Sequence, residues 1–251
     1  GVRIEHPQRL INTIQYGTAQ PERLPPADYK LTARTASGRS VYSFCMCPGG
    51  QVVNASSEAG RLCVNGMSNY ARDGRNANAA LVVQVGPEDL EEKDLFAGLR
   101  FQRRTEEAMY RLAGGRIPVQ RWKAFAGEKE GDEGAEAFLP DTCGAWAAAD
   151  VASALPEFIR SALLEAMPQF DRRMPGYAWP DALVEGFEGR TSSPIRIPRD
   201  ESGQSSIRGV YPAGEGAGYA GGITSAAVDG MKVAEKVICG RGNPSPATTT
   251  P

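Results

Sequence analysis

Little in this chain points to metal, membrane or nucleic acid. There is one histidine, His6, among 251 residues. The five cysteines, Cys45, Cys47, Cys63, Cys143 and Cys239, are scattered and odd in number. A zinc site takes about four ligands, so a single Cys-x-Cys pair and one histidine give no metal site. No run approaches the ~18 to 20 apolar residues that cross a bilayer. No signal-peptide pattern is present. The expectation is a cytoplasmic protein with reduced thiols and no membrane contact. Charge of either sign is not in excess: 28 Lys and Arg against 30 Asp and Glu leave a net −2. Wrapping a nucleic acid needs a basic surface, so nucleic acid is not an expected partner.

What is present is a globular composition, 41% hydrophobic and 23% charged, which excludes a disordered or coiled-coil chain. Glycine stands out, at 29 residues against a usual ~7%. Val2-Arg3-Ile4-Glu5 alternates like a strand from the first residues, and Gly1 is not an initiator, so the chain is expected to begin inside an element. Tyr29–Thr35, Val41–Phe44, Leu62–Val64 and Leu81–Val85 read as further strands. The polar stretch 65–78 reads as a loop. Helical spacing runs from Leu95 to Leu112 before Gly114-Gly115, and again from Leu155-Pro156 to Met167. Residues 126–137 read as a solvated acidic loop, 171–182 as an irregular crossing and 190–197 as extended. Gly209-Val210-Tyr211 reads as a short strand. Ile223–Cys239 reads as a helix with Ile223, Ala226, Ala227, Met231, Ala234, Val237 and Ile238 facing inward, stopped by Gly240. Residues 241–251 read as a flexible tail.

The main chemical signal is the loop before that last helix, Tyr211-Pro-Ala-Gly-Glu-Gly-Ala-Gly-Tyr-Ala-Gly-Gly-Ile-Thr-Ser. It contains Gly216-x-Gly218-x-x-Gly221. The usual dinucleotide fingerprint opens a βαβ unit, with an acidic residue about 20 positions on. Here only a helix and a tail follow, so this loop closes a sheet instead of opening one. Glycines let backbone approach a ligand closely. The free N–H groups and positive dipole end of a helix suit an electron-rich group. Glu215 suits sugar-like hydroxyls. A planar, oxygen-bearing ring with a polyol chain, as in a flavin, meets those terms. The alternative is a tight turn needed only for helix–strand packing.

Other candidates are weighed the same way. Cys45 and Cys47, two apart on a strand, are expected to point to one face. They are either redox partners of a flavin or small buried residues. Arg72, in a polar loop, either holds an anionic substrate group or is solvated. The hydroxyls of Thr191-Ser-Ser-Pro-Ile-Arg196 either face a flavin, with Arg190 or Arg196 stabilising negative charge on the reduced ring, or satisfy turns in a connector. His6 is expected to be structural, and Trp122, Trp146 and Trp179 to be core or groove walls. No catalytic acid or base can be named.

Residues 209–230 resemble the C-terminal FAD motif of a family of bacterial FAD-dependent dehydrogenases, flavoproteins with a glutathione-reductase-like FAD domain. Gly1-Val-Arg-Ile-Glu-His-Pro-Gln8, Val41-Tyr-Ser-Phe-Cys-Met-Cys-Pro-Gly-Gly50, Asn65-Gly-Met-Ser-Asn-Tyr-Ala-Arg-Asp-Gly74 and Arg190-Thr-Ser-Ser-Pro-Ile-Arg196 resemble the same family. The resemblance implies an α/β fold: a mixed β and α substrate or cap domain over 1–185, then the C-terminal strand and helix of a Rossmann-like FAD domain over 186–240. It implies that this chain is the C-terminal portion of a longer flavoprotein, partnered by a missing N-terminal half that binds the ADP part of FAD. The implied activity is FAD-dependent oxidoreduction of a small-molecule substrate. FAD would be held by Gly214, Glu215, Gly216, Gly221, Gly222, Ile223 and Ser225. Arg72, Cys47 and Arg196 would contact substrate. The alternative is a truncated, non-enzymatic binding or interaction domain without bound flavin.

Overall fold

The computed structural model describes residues 1–128 and 138–241, the last two by backbone alone. Most of the expected acidic loop and the expected tail lie outside the described residues. The fold is α/β, in two compact units: residues 1–89 with 101–189, and 90–100 with 190–251.

The first unit is built on a seven-stranded sheet. Its elements begin with β1 (Val2–Pro7), α1 (Gln8–Tyr16), β2 (Thr32–Arg34), β3 (Ser40–Cys47), β4 (Gly50–Asn54), β5 (Val64–Ser68) and β6 (Asn76–Val83). Then come α2 (Ala97–Ala113, whose first four residues fall in the second unit), β7 (Ile117–Arg121) and α3 (Trp122–Phe125). β8 (Thr142–Cys143), β9 (Trp146–Ala148), α4 (Val151–Ala154), α5 (Glu157–Arg173) and β10 (Leu183–Glu185) complete it. The large sheet runs β2-β3-β6-β1-β10-β7-β9, and a small one runs β5-β4-β8. Pairing is antiparallel except for β4–β8 and β7–β9. The stretch 65–78, expected as a loop, is strand at both ends. β5 pairs with β4 through its backbone from Gly50↔Ser68 to Asn54↔Val64, and needs no apolar alternation to do so. Asn76 and Asn78 open β6 and are buried.

Central β1 separates two different layers. Val2, Ile4 and His6 lie across from Leu81, Ala79 and Ala77 and face an apolar core. α5 closes that core with Ile159, Ala162, Leu163, Ala166, Met167 and Phe170, spaced as one helical stripe. Glu157 in its first turn and Arg172 and Arg173 in its last complement the helix dipole. His6 is buried with Nε2 2.8 Å from the Tyr177 carbonyl oxygen. Burial pushes its pKa down to about 4, so it stays neutral. The opposite face of β1 carries Arg3 and Glu5, both fully buried under the small sheet. The Asn65 side chain there accepts from Arg3 Nη2 at 2.7 Å, and a Cβ on Gly66 would overlap the Asn78 side chain.

The second unit holds one long helix, α6 (Ile223–Arg241), and irregular segments. Residues 209–211 are not a strand, and no strand occurs among the described residues of this unit. Val210 N–H donates to Ile207 O at 3.1 Å and its C=O accepts from Ser205 N at 2.8 Å, so its backbone groups are satisfied in a local turn and not by a neighbouring strand. The expected inward face of α6 also differs. Val233 is buried, whereas Ile223 is 87% exposed, Met231 65% and Ile238 71%.

Candidate functional site

In the first unit the structure brings the Cys45–Gly50 turn and the Arg72 loop together. β3 is irregular between Phe44 and Cys47. Cys45 takes a left-handed conformation, φ 43°, and Arg72 does the same at 52°. Such values are costly for residues with a side chain. The bulge breaks the two-residue period, so Cys45 is exposed and Cys47 buried. They do not share a face. Burial raises the Cys47 pKa, which keeps it a thiol, and its Sγ donates to the Cys45 carbonyl at 3.3 Å. Gly49 has φ 51°, and a Cβ there would overlap the Arg72 carbonyl. Gly74 N–H donates to Gly49 O at 3.2 Å. Gln8 Oε1 accepts from Gly49 N at 2.7 Å, and Ser68 Oγ donates to Pro48 O at 2.7 Å. Arg72 and Asp73 are exposed, as is Tyr70 beside them.

Buried Arg3 stands behind this turn. Its Nη1 donates to the Cys45 carbonyl at 2.7 Å, Nη2 to Asn65 as above, and Nε ion-pairs with Glu188 Oε2 at 2.5 Å. Glu185 lies directly across from Arg3 on β10, and the Glu185 carboxyl meets that of Glu5. Asp141 N–H points at both Glu5 oxygens at 3.2 Å. Burial, with Glu185 close by, raises the Glu5 pKa well above the usual range. Burial pushes Glu185 up to about 7. Sequence reasoning missed Arg3, Glu5 and Glu185. Their spacing looks like the solvent face of a strand, and nothing in it signals a second sheet above.

A separate groove of about 530 Å³ in the first unit is walled by Phe138, Trp146, Val119 and Leu183 among others. None of the predicted site residues lines it. Of the tryptophans, Trp122 is buried against Phe125, Trp146 lines this groove, and Trp179 packs on Phe138.

The other predicted residues lie in the second unit. Arg199 holds Asp229 of α6 in a bidentate pair, 2.9 and 2.6 Å, and donates to Pro212 O at 2.8 Å. Asp229 also accepts from Gly214 N at 2.9 Å. The Arg199 hydrogen bonds hold the Asp229 pKa below the usual carboxylate range. Tyr219 lies under Arg199 at 3.6 Å and Arg196 at 4.2 Å. The glycines then divide. Gly214 and Gly218 have φ 69° and 81°, and a Cβ on Gly218 would meet Ile195 O at 2.7 Å. At Gly216 a Cβ would meet nothing within 4 Å. At Gly221 it would touch only Ser192 Oγ at 3.4 Å, and at Gly222 only Ser225 Oγ at 3.6 Å, both ordinary contacts. Ser225 Oγ donates to Gly222 O at 3.0 Å. Glu215 is exposed, and Ile223 starts α6. Among the described residues no helix is long and apolar enough to cross a membrane, and no group of three or more His, Cys, Asp or Glu is placed to hold a metal.

The first unit, with its buried polar layer and strained turn, lies wholly within a match to a known class, the FAD-dependent proteins. The family described as FAD-dependent protein, C-terminal domain-like, matches residues 1–191, and the chain belongs to it. The match covers the first unit and stops short of the glycine loop. An uncharacterised protein of Clostridium beijerinckii is 48% identical over 243 residues, which is 95% of this chain and 45% of that protein. The chain thus spans less than half the length of this curated relative.

Proposed function

We propose that this chain is the C-terminal portion of an FAD-dependent oxidoreductase, moving hydride between a small-molecule substrate and the flavin. One observation carries the reading. Gly216, Gly221 and Gly222 are glycine where neither φ nor internal packing requires it. A ligand lying close against the backbone gives such positions a reason. The residues fit a flavin cofactor in kind. The first N–H groups of α6 have no intrahelical partners and suit an electron-rich ring edge, and exposed Glu215 suits hydroxyls. Gly214 and Ser225 shape the ends of this loop. Bound FAD would supply the two-electron chemistry, and the protein would position and tune it. On this reading Arg196 supplies positive charge within the second unit, and the Cys45–Gly50 turn of the first unit, with exposed Arg72 against it, is a candidate for binding substrate. The N-terminal half of the longer polypeptide is the partner that would complete the cofactor site, and the exposed apolar side of α6 suits such a partner.

The test uses the protein together with its upstream coding sequence. Gly221→Ala and Gly222→Ala should fold normally, since each Cβ meets only ordinary contacts, yet lose flavin absorbance or weaken FAD affinity. Unchanged flavin content in both variants would make the loop a packing device and remove the reading.

A further inference from the structure

We infer that Arg3 is a positioning residue for the Cys45–Gly50 turn, and that a proton shared by Glu5 and Glu185 sets how firmly it holds. Its functional meaning rests on the proposed reading of that turn as part of the site. Arg3 is fully buried and gives one donor to the carbonyl of a residue in a left-handed conformation. A charge-assisted bond to a strained backbone keeps that strain in place. The same guanidinium is held from behind by Glu188 and faces Glu185 across the β1–β10 pair. Neither oxygen of Glu185 has a donor other than what the Glu5 carboxyl can offer. Two carboxyls facing each other in a dry layer cannot both ionise cheaply. One proton between them satisfies both.

The charged and polar groups around the pair are Arg3 on β1, Asn76 and Asn78 on β6, and Asp141 before β8, with Glu188 beyond Arg3. Only Arg3 is cationic. When the proton leaves, the new negative charge pulls Arg3 towards Glu185 and away from the Cys45 carbonyl. The turn then loosens, and exposed Cys45 reports it.

The measurement is the iodoacetamide labelling rate of Cys45, resolved by fragment mass spectrometry and divided by the rate in the unfolded chain at the same pH. In the wild type this ratio should rise between about pH 6 and 8, the range centred on the raised carboxyl pKa. Glu185→Gln, whose amide mimics the protonated acid, should hold the ratio at its low-pH value. Arg3→Lys should raise it roughly tenfold at every pH, as expected for loss of one charge-assisted hydrogen bond. A flat wild-type ratio overturns the inference, even if neither variant folds. So does a Glu185→Gln profile identical to the wild type. A protein that shows the expected profile but binds no flavin would remove the oxidoreductase reading and leave Arg3 as the clamp of this turn.

Discussion

Two glycine-rich turns in this chain look alike in sequence and differ in cause. In Pro48-Gly49-Gly50 the protein itself demands glycine. Gly49 is left-handed and its missing Cβ is occupied by the Arg72 backbone, and at Gly50 a Cβ would meet Met67 O at 2.6 Å. In the 214–222 loop only Gly214 and Gly218 have such internal reasons, and Gly216, Gly221 and Gly222 have none. Glycine abundance therefore carries two messages. One reports backbone packed on backbone. The other reports surface kept bare for something outside the chain.

That contrast can be broken by substitution. Gly49→Ala should have the largest effect, because it combines a left-handed φ with overlap on a main-chain carbonyl that cannot move aside. A cost of more than about 3 kcal/mol, or no folded protein, is expected in urea unfolding. Gly218→Ala should cost about 1 to 3 kcal/mol from its φ and its approach to Ile195. A cost below ~0.5 kcal/mol there would erase the distinction within the loop. pH sharpens the picture of the first unit. Glu185 has a folded-state pKa raised above its unfolded value. Its contribution is therefore fully present below the unfolded pKa and is lost as pH rises through about 7. The difference in melting temperature between the wild type and Glu185→Gln should therefore shift against the wild type from pH 5 towards pH 8 (approximate limits), and a pH-independent difference would remove this role of Glu185. The smallest effect belongs to α6. Met231→Ser should change the stability of this chain by less than about 0.5 kcal/mol, because the side chain is already exposed. The same change in a longer polypeptide that covers the helix should cost more, and equal effects in both would leave that face without a partner.

Much of this architecture was legible where one period dominates. α5 follows its apolar stripe through Pro168 to Arg173, and α6 occupies almost the expected residues. The strands failed where pairing rests on backbone alone. β5 reads Val-Asn-Gly-Met-Ser, and β8, β9 and β10 are two or three residues long. Such segments carry no side-chain signature and exist because a neighbour accepts them. The inward side of α6 was misjudged for a related reason. Apolar spacing says that a face wants cover, not what provides it. Cys45 and Cys47 were placed on one face by a rule that holds only for a regular strand, and the bulge between Phe44 and Cys47 ends that regularity. The buried charges were invisible because Val-Arg-Ile-Glu-His is also what a strand with one wet face looks like.

The position of β1 has a consequence for how the molecule is made. The first strand of the unit lies at the middle of the large sheet, with β6 on one side and β10 on the other. Arg3 finds its partner Glu185 only at the far end of the first unit. Closing so long a loop is slow. During synthesis, which runs from N- to C-terminus, β1 can pair with β6 early but keeps its other edge open until β10, near the end of the unit, has been made. During that interval its buried Arg and Glu are an advantage, because charged side chains discourage pairing with the wrong strand. The residues that make the finished sheet sensitive to a proton thus protect it before it is finished.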